Sequence, residues 1–390
     1  MTSKLGSKGA SGKGWLERSS FNSLFEVLAS QGYKIMGPVV RDGAIVFNAV
    51  TSAKALAFSV HDEQKAGSYQ LVSDNSCRYF NWHHGPQALK PFLFKPEQLL
   101  WVCDSADNDL NFRSGLSEPE NIAVIGVRAC DLAALALQDK HFLHGEHQDP
   151  FYQKQREKML IIAVNCSDSG EHCFCVSTHS GPEVRFYYDL LIDELADGFV
   201  LKAGSEKGLK ILDELKLQDC TEVQLKLADA QRKTAAISQT RSLPAPEELM
   251  KLSQILPERY WLEAAETCLS CGNCTLVCPT CFCSKQVVVN RINENGEGIQ
   301  SSHIRVWDSC FSLEHAHIFG KNFRSDTASR YRQWMIHKLV NWQTQYGRHG
   351  CVGCGRCIAW CPAGIDFLQQ VHLLMEQLPE NAPETQRGGV

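Results

Sequence analysis

The chain has 390 residues, 44% hydrophobic and 21% charged, enough for two or three domains with real cores. A net charge of −5 removes the usual reason to expect nucleic-acid binding, and no apolar run approaches the roughly 18 residues of a membrane helix. The anomalous number is 18 cysteines.

In chain order, residues 1–14 read as a flexible tail rich in Gly, Ser and Lys, with no apolar h-region and no twin arginine. A cytoplasmic location is therefore expected. Disulfides do not persist there, and clustered cysteines point to metal. Residues 15–30 read as an amphipathic helix. "YKIMGPV" and "AIVFNAV" read as strands around the turn Arg41-Asp42-Gly43. "NIAVIGV" (121–127) is a buried-strand run, then comes the helical run "ACDLAALALQDKHFL", then a second buried strand, "MLIIAVN" (159–165). Strand, helix, strand predicts a βαβ unit and an α/β (α+β) N-terminal domain. "FYYDLLIDEL" and "GFVLKAG" predict a pair of strands. Ser242–Glu248, with two prolines, reads as a linker. The expected domains are thus 15–245 and 246–380, followed by a tail at 381–390.

The first domain has no G-x-G-x-x-G, no G-x-S-x-G and no H-E-x-x-H. No flavin is expected in this chain, which reads as a poor candidate for the subunit that handles a soluble substrate. Cys130 and Cys166 each follow a buried strand, and Cys173 and Cys175 lie a short loop further on. In open α/β sheets ligands sit at the carboxyl ends of strands. If the two strands are neighbours, all four thiols can meet. Buried structural cysteines are the preferred reading. A third cluster and a redox-active thiol pair remain open. His61, His83, His84 and His172 show no ligand spacing and read as structural or exposed.

The second domain carries "CLSCGNCTLVCP" (268–279) and "CVGCGRCIAWCP" (351–362), identical at six of twelve positions. Each is C-x2-C-x2-C-x3-C-P. Three cysteines at every third position can wrap one iron–sulfur cubane, and in two-cluster ferredoxins the fourth ligates the other cluster. Structural zinc prefers separated C-x2-C pairs and fits poorly. The spacing predicts two [4Fe–4S] clusters, one on Cys268, Cys271, Cys274 and Cys361, the other on Cys351, Cys354, Cys357 and Cys278. Gly272 and Gly355 are expected to let backbone approach the cluster. Cys281, Cys283 and Cys310 read as neighbours rather than ligands. A long insert, 279–350, separates the runs. It predicts a helix over Ser329–Gln343 whose Tyr331, Trp334, Met335, Leu339 and Trp342 share one face. Arg330, Arg332 and Lys338 fall on the opposite face. From Ile318 to Ile358 there are seven Lys/Arg and one acidic residue. That excess reads as a solvated face, with a docking surface for an acidic partner as the functional alternative.

The stretches "IGVRACDLAAL" (125–135), "DPFYQKQREKMLIIAVNC" (149–166), "CFCVSTHSGP" (173–182), "CLSCGNCTLVCPTCFC" (268–283), "WDSCF" (307–311) and "HKLVNWQTQYGRHGCVGCGRCIAWCPAGID" (337–366) carry a resemblance. Together they are similar to the family of iron–sulfur β subunits of cytoplasmic NAD(P)-linked [NiFe] hydrogenases, or sulfhydrogenases. The electron-transfer subunit of anaerobic sulfite reductase belongs to the same family. Ala129 stands where that family commonly has Pro. The resemblance implies a non-catalytic electron-transfer subunit between a hydrogenase module and a flavin subunit using NAD(P)(H), with a helical, ferredoxin-like dicluster domain. A stand-alone iron–sulfur flavin oxidoreductase and the sulfite reductase subunit are the alternatives.

Overall fold

Residues 34–49 form a hairpin whose closing pair is Arg41 and Ala44. Asp42 and Gly43 between them both take left-handed φ, 50° and 72°, as a two-residue turn between twisted strands requires. The computed structural model describes residues 12–87, 89–106, 109–255, 258–292 and 298–378. The tails expected at 1–14 and 381–390 lie outside these residues, apart from 12–14.

The strands are β1 (Lys13–Glu17), β2 (Lys34–Arg41), β3 (Ala44–Ala49), β4 (Val60–Lys65), β5 (Ser68–Ser73), β6 (Glu97–Ala106) and β7 (Asp109–Ser114). They continue as β8 (Ile122–Val127), β9 (Met159–Val164), β10 (Leu190–Glu194), β11 (Gly198–Ala203), β12 (Ser284–Ile292) and β13 (Gly298–Trp307). Seven of them make one sheet, in the order β1-β11-β10-β9-β8-β2-β3. The middle four, β10, β9, β8 and β2, are parallel. The predicted strand–helix–strand unit is β8, the helix Ala129–Phe142 and β9, with Ile125 paired to Ile162. The two strands are buried on both faces, which is why they read as unbroken apolar runs. Leu160, Ile162 and Val164 face one core with Phe21, Leu24 and Phe199. Met159, Ile161 and Ala163 face the other with Leu132, Leu135 and Tyr152.

Two expectations change here. The helix expected over 15–30 is shorter, Asn22–Ser30, because Trp15 and Leu16 belong to β1, paired antiparallel with β11. A four-stranded antiparallel sheet, β12-β13-β6-β7, stands beyond what the sequence pattern predicts. It joins residues of the first half, Glu97–Ser114, to residues 284–307 of the insert, with Cys103 opposite Ser301. The chain is thus a mixed α/β protein whose two halves share a sheet.

Phe199 is fully buried and stacks on Phe21 at 4.1 Å between centroids. Phe199→Ala is expected to cost about 3–5 kcal/mol of unfolding free energy by loss of packing. Denaturant titration checks it: a loss under ~1 kcal/mol would mean this core is not tightly packed there.

Candidate metal centre

The two cysteine runs fold alike. Ser270 and Gly353 occupy equivalent positions, with φ of 52° and 65°, and so do Gly272 and Gly355, at 74° and 73°. Each left-handed residue re-aims the chain so that successive thiols turn toward a common centre. A four-residue helix follows in each, Asn273–Leu276 and Arg356–Ala359. The glycines are needed for φ and for packing against protein. A Cβ on Gly272 would lie 2.7 Å from the Ser309 Oγ, and one on Gly355 2.6 Å from the His172 carbonyl oxygen. On the protein side the crowding comes from these neighbours.

One cavity is lined by Cys268, Cys271, Cys274, Cys357 and Cys361. A second is lined by Cys274, Cys278, Cys351, Cys354 and Cys357. Each therefore contains the three leading cysteines of one run and the last cysteine of the other. Cys274, Cys357, Trp334 and Phe367 line both, so the cavities share a wall. Asn273 of the first run donates its amide to the Trp360 carbonyl of the second, tying the runs together. The backbone N–H of Ser270 points at Cys268 Sγ (3.4 Å) and that of Gly353 at Cys351 Sγ (3.5 Å).

The donor chemistry fits an iron–sulfur group. Burial pushes the thiols of Cys274, Cys354 and Cys357 up, and that of Cys351 up to about 12. Alone they would be neutral at pH 7, and a metal's charge is what deprotonates such thiols. The phenol of Tyr331 and the indole N–H of Trp334 are buried without a hydrogen-bond partner, and both residues line the first cavity. Buried donors left open in this way suit sulfur acceptors inside the cavity.

The insert helix holds a correction. It runs from Thr327 to Ile336, passes through a π-turn at His337–Asn341 and resumes at Trp342–Tyr346. Lys338, expected on the solvent side, lies four residues from both Trp334 and Trp342, which puts it on their face of the helix, and it is 5% exposed. Its Nζ donates to Cys278 Sγ at 3.4 Å and to Thr280 Oγ1 at 3.0 Å. Burial works against its charge, but the Cys278 sulfur outweighs it and holds the ammonium protonated. Arg330 also turns inward, donating to the Arg324 and Ser325 carbonyls and to Ser270 Oγ. The basic excess of the insert is therefore no docking face at these two residues. It faces the cysteines.

Two further buried cations join them. Lys90 donates to the Leu276 carbonyl at 2.7 Å and lies 4.1 Å over Trp307; burial brings its pKa down to about 8. Arg356 pairs with Asp131 at 2.8 Å, both almost fully buried, and donates to the Gly85 carbonyl. Cys281 and Cys283 lie outside both cavities, as neighbours. The hydrogen bond from Cys281 holds Cys278 well below the usual thiol range. The hydrogen bond from Cys310 draws Cys283 down to about 4.

The four N-terminal cysteines also meet. β8 and β9 are parallel neighbours. Cys130, Cys166, Cys173 and Cys175 line one cavity with His83, His84, Arg128 and Cys354. His84 Nε2 lies 3.0 Å from Cys130 Sγ. His84 is buried, its partner is distant in the chain, and no local spacing marks it. His83 joins Asp62, at 3.2 Å, while lining that cavity, and His61 joins Asp74, at 3.4 Å.

A mixed α/β fold closed by two interlocked cysteine cavities defines an iron–sulfur protein. Residues 267–365 match the family described as a 4Fe-4S dicluster domain. The chain is similar to sulfhydrogenase 2 subunit beta of Pyrococcus furiosus, 31% identical over 258 residues, covering 65% of this chain and 74% of that protein. It belongs to the sulfhydrogenase β-subunit family. No solved structure matches it. Among the described residues no helix is long and apolar enough to cross a membrane.

The Arg356–Asp131 pair is expected to be structural. Asp131→Ala strands a buried guanidinium and should cost about 3–5 kcal/mol of stability. Unfolding of the metal-loaded variant measures it, and an unchanged midpoint would show that the carbonyls around Arg356 suffice.

Proposed function

We propose that the chain relays electrons through two [4Fe–4S] clusters between a [NiFe] hydrogenase module and a flavin subunit that uses NAD(P)(H). Cys268, Cys271, Cys274 and Cys361 would hold one cluster, and Cys351, Cys354, Cys357 and Cys278 the other. The observation that carries this reading is the exchange of the fourth cysteine between two cavities with a common wall. Clusters so held stand close enough for one-electron exchange, which is the chemistry they supply when bound. Residues 246–380 would be the ferredoxin-like dicluster domain and 15–245 the platform on which it docks. The choice of partners is supported by the similarity to a sulfhydrogenase subunit. The relative's printed name makes it one subunit of a sulfhydrogenase.

The residues of this chain have three tasks. The thiols ligate. Trp334 and Phe367, with the apolar wall around them, exclude water between the sites. Lys338 sets a fixed positive charge against the second site. A cation hydrogen-bonded to a ligating sulfur favours the reduced, more negative cluster.

Isolation of the chain with its native partners tests the setting. Nickel and flavin in the same complex are expected, and siroheme in place of nickel would make it a sulfite reductase subunit. Cys361→Ser should damage the cluster built on Cys268, Cys271 and Cys274, and Cys278→Ser the other, as resolved by EPR of each variant. If each serine disturbs its own run instead, the crossed assignment fails. Lys338→Met should leave the iron in place and lower one cluster's midpoint by on the order of 60 mV. A hydrogen bond to a charged group is worth roughly 1.5 kcal/mol, about one tenfold step for a single electron. Lys338→Arg should restore most of that shift, and two unmoved midpoints would remove Lys338 from this role.

A further inference from the structure

The N-terminal cysteines are the part of the molecule that the dicluster leaves unused. β8 and β9 end side by side, at Val127 and Val164. Cys130 follows in the first turn of the helix after β8, and Cys166 two residues beyond β9. The loop after Cys166 folds back over them. Its Phe174 N–H donates to the Gly353 carbonyl of the second cysteine run at 2.9 Å, which carries Cys173 and Cys175 to the same place. The result is a crevice at the carboxyl ends of parallel strands, the usual ligand position in such a sheet.

We propose that Cys130, Cys166, Cys173 and Cys175 hold a third [4Fe–4S] cluster in this crevice. Three observations carry it. The first is convergence. Four cysteines, from the ends of two neighbouring strands and the loop beyond them, line one cavity, as the cysteines of the two runs do theirs. The second is the ring of donors around the sulfurs. His84 Nε2 stands 3.0 Å from Cys130, Gln239 Nε2 3.2 Å from Cys175 and Arg128 Nη1 3.9 Å from Cys166. His84 Nδ1 is buried without a hydrogen-bond partner, in a residue that lines the cavity. The third is continuity. Cys354 lines both this cavity and the neighbouring dicluster cavity. The three sites therefore stand in a row, with the second in the middle.

A single-ion site on His84, Cys130 and Asp131 is the geometric rival, since their ligand atoms lie within 4.8 Å of one another. Asp131 is already committed to Arg356 at 2.8 Å, which leaves that set short of a ligand. The row also gives the cluster a place in the relay. Ala129 and Pro182 line both the third cavity and a cleft open at the surface. One electron passing along the row oxidises the cluster it leaves and reduces the next, and no bond is made or broken. The ligand set stands by itself; only its place in the relay rests on the proposed function.

The test uses the full chain, purified without oxygen and loaded with iron and sulfide. Three clusters of four irons each give about twelve iron atoms per chain. The double variant Cys173→Ser, Cys175→Ser should fall to about eight, with the EPR signals of the dicluster retained. Wild-type protein is decisive by itself if the variant misfolds. About eight irons in the loaded wild type, or zinc in their place that is lost in the variant, overturns the proposal. A wild type whose only irons, about four, disappear in the variant would support the third site and sink the dicluster assignment instead.

Discussion

The structure turns on the burial of sulfur that must carry negative charge. Twelve of the 18 cysteines line three adjoining cavities, and all but Cys271 are buried or partly buried. Thiolates taken out of water are costly unless cations or donors face them. The fold supplies both from distant parts of the chain. Lys338 comes from the insert, Lys90 from a short helix before β6, and Arg128 from the end of β8. Arg356 comes from the second run itself, held in place by Asp131 of the first half. Among the described residues none of these cations pairs with a surface carboxylate, so their charge is directed inward. Part of the basic excess over 318–358 is accounted for in this way: Lys338 and Arg356 stand against the cysteines.

How far the sequence announced these features depended on their range. The cysteine runs were legible because their spacing is local and each thiol's direction follows from a few backbone angles. β8 and β9 were legible because a strand buried on both faces must be apolar throughout. The sheet formed by β6, β7, β12 and β13 was not. Its strands are largely exposed, carry residues such as Asp104, Gln286 and Arg305, and pair across nearly 200 positions. No alternation marks them, and the pairing partner cannot be read locally.

Lys338 shows a related limit at smaller scale. It lies four residues from both Trp334 and Trp342, so helical spacing itself puts it on their face; only its charge suggested solvent. What the sequence does not show is its partner, Cys278, 60 residues away, with Thr280 beside it. His84 and Gln239 were invisible for the same reason. Each meets a cysteine 46 or 64 residues away, and only the fold defines that proximity.

These long-range ties bear on what counts as a unit of this protein. A linker near 245 divides the chain in sequence, yet the interactions that matter cross it. β13 adds to β6, Gln138 donates to the Pro279 carbonyl at 2.7 Å, and Asp131 holds Arg356. Cut at the linker, the first half would keep its seven-stranded sheet. It would also expose the β6 edge, leave a buried carboxylate unpaired, and lose Cys354 and Gly353 from the wall of the third cavity. The second half would lose Lys90 and the hairpin of β4 and β5, whose Gly67 N–H donates to the Ile358 carbonyl and whose Tyr69 stacks on Trp360. The metal sites therefore belong to neither half alone, and the α/β sheet acts as the frame that holds the row of cysteine cavities in register.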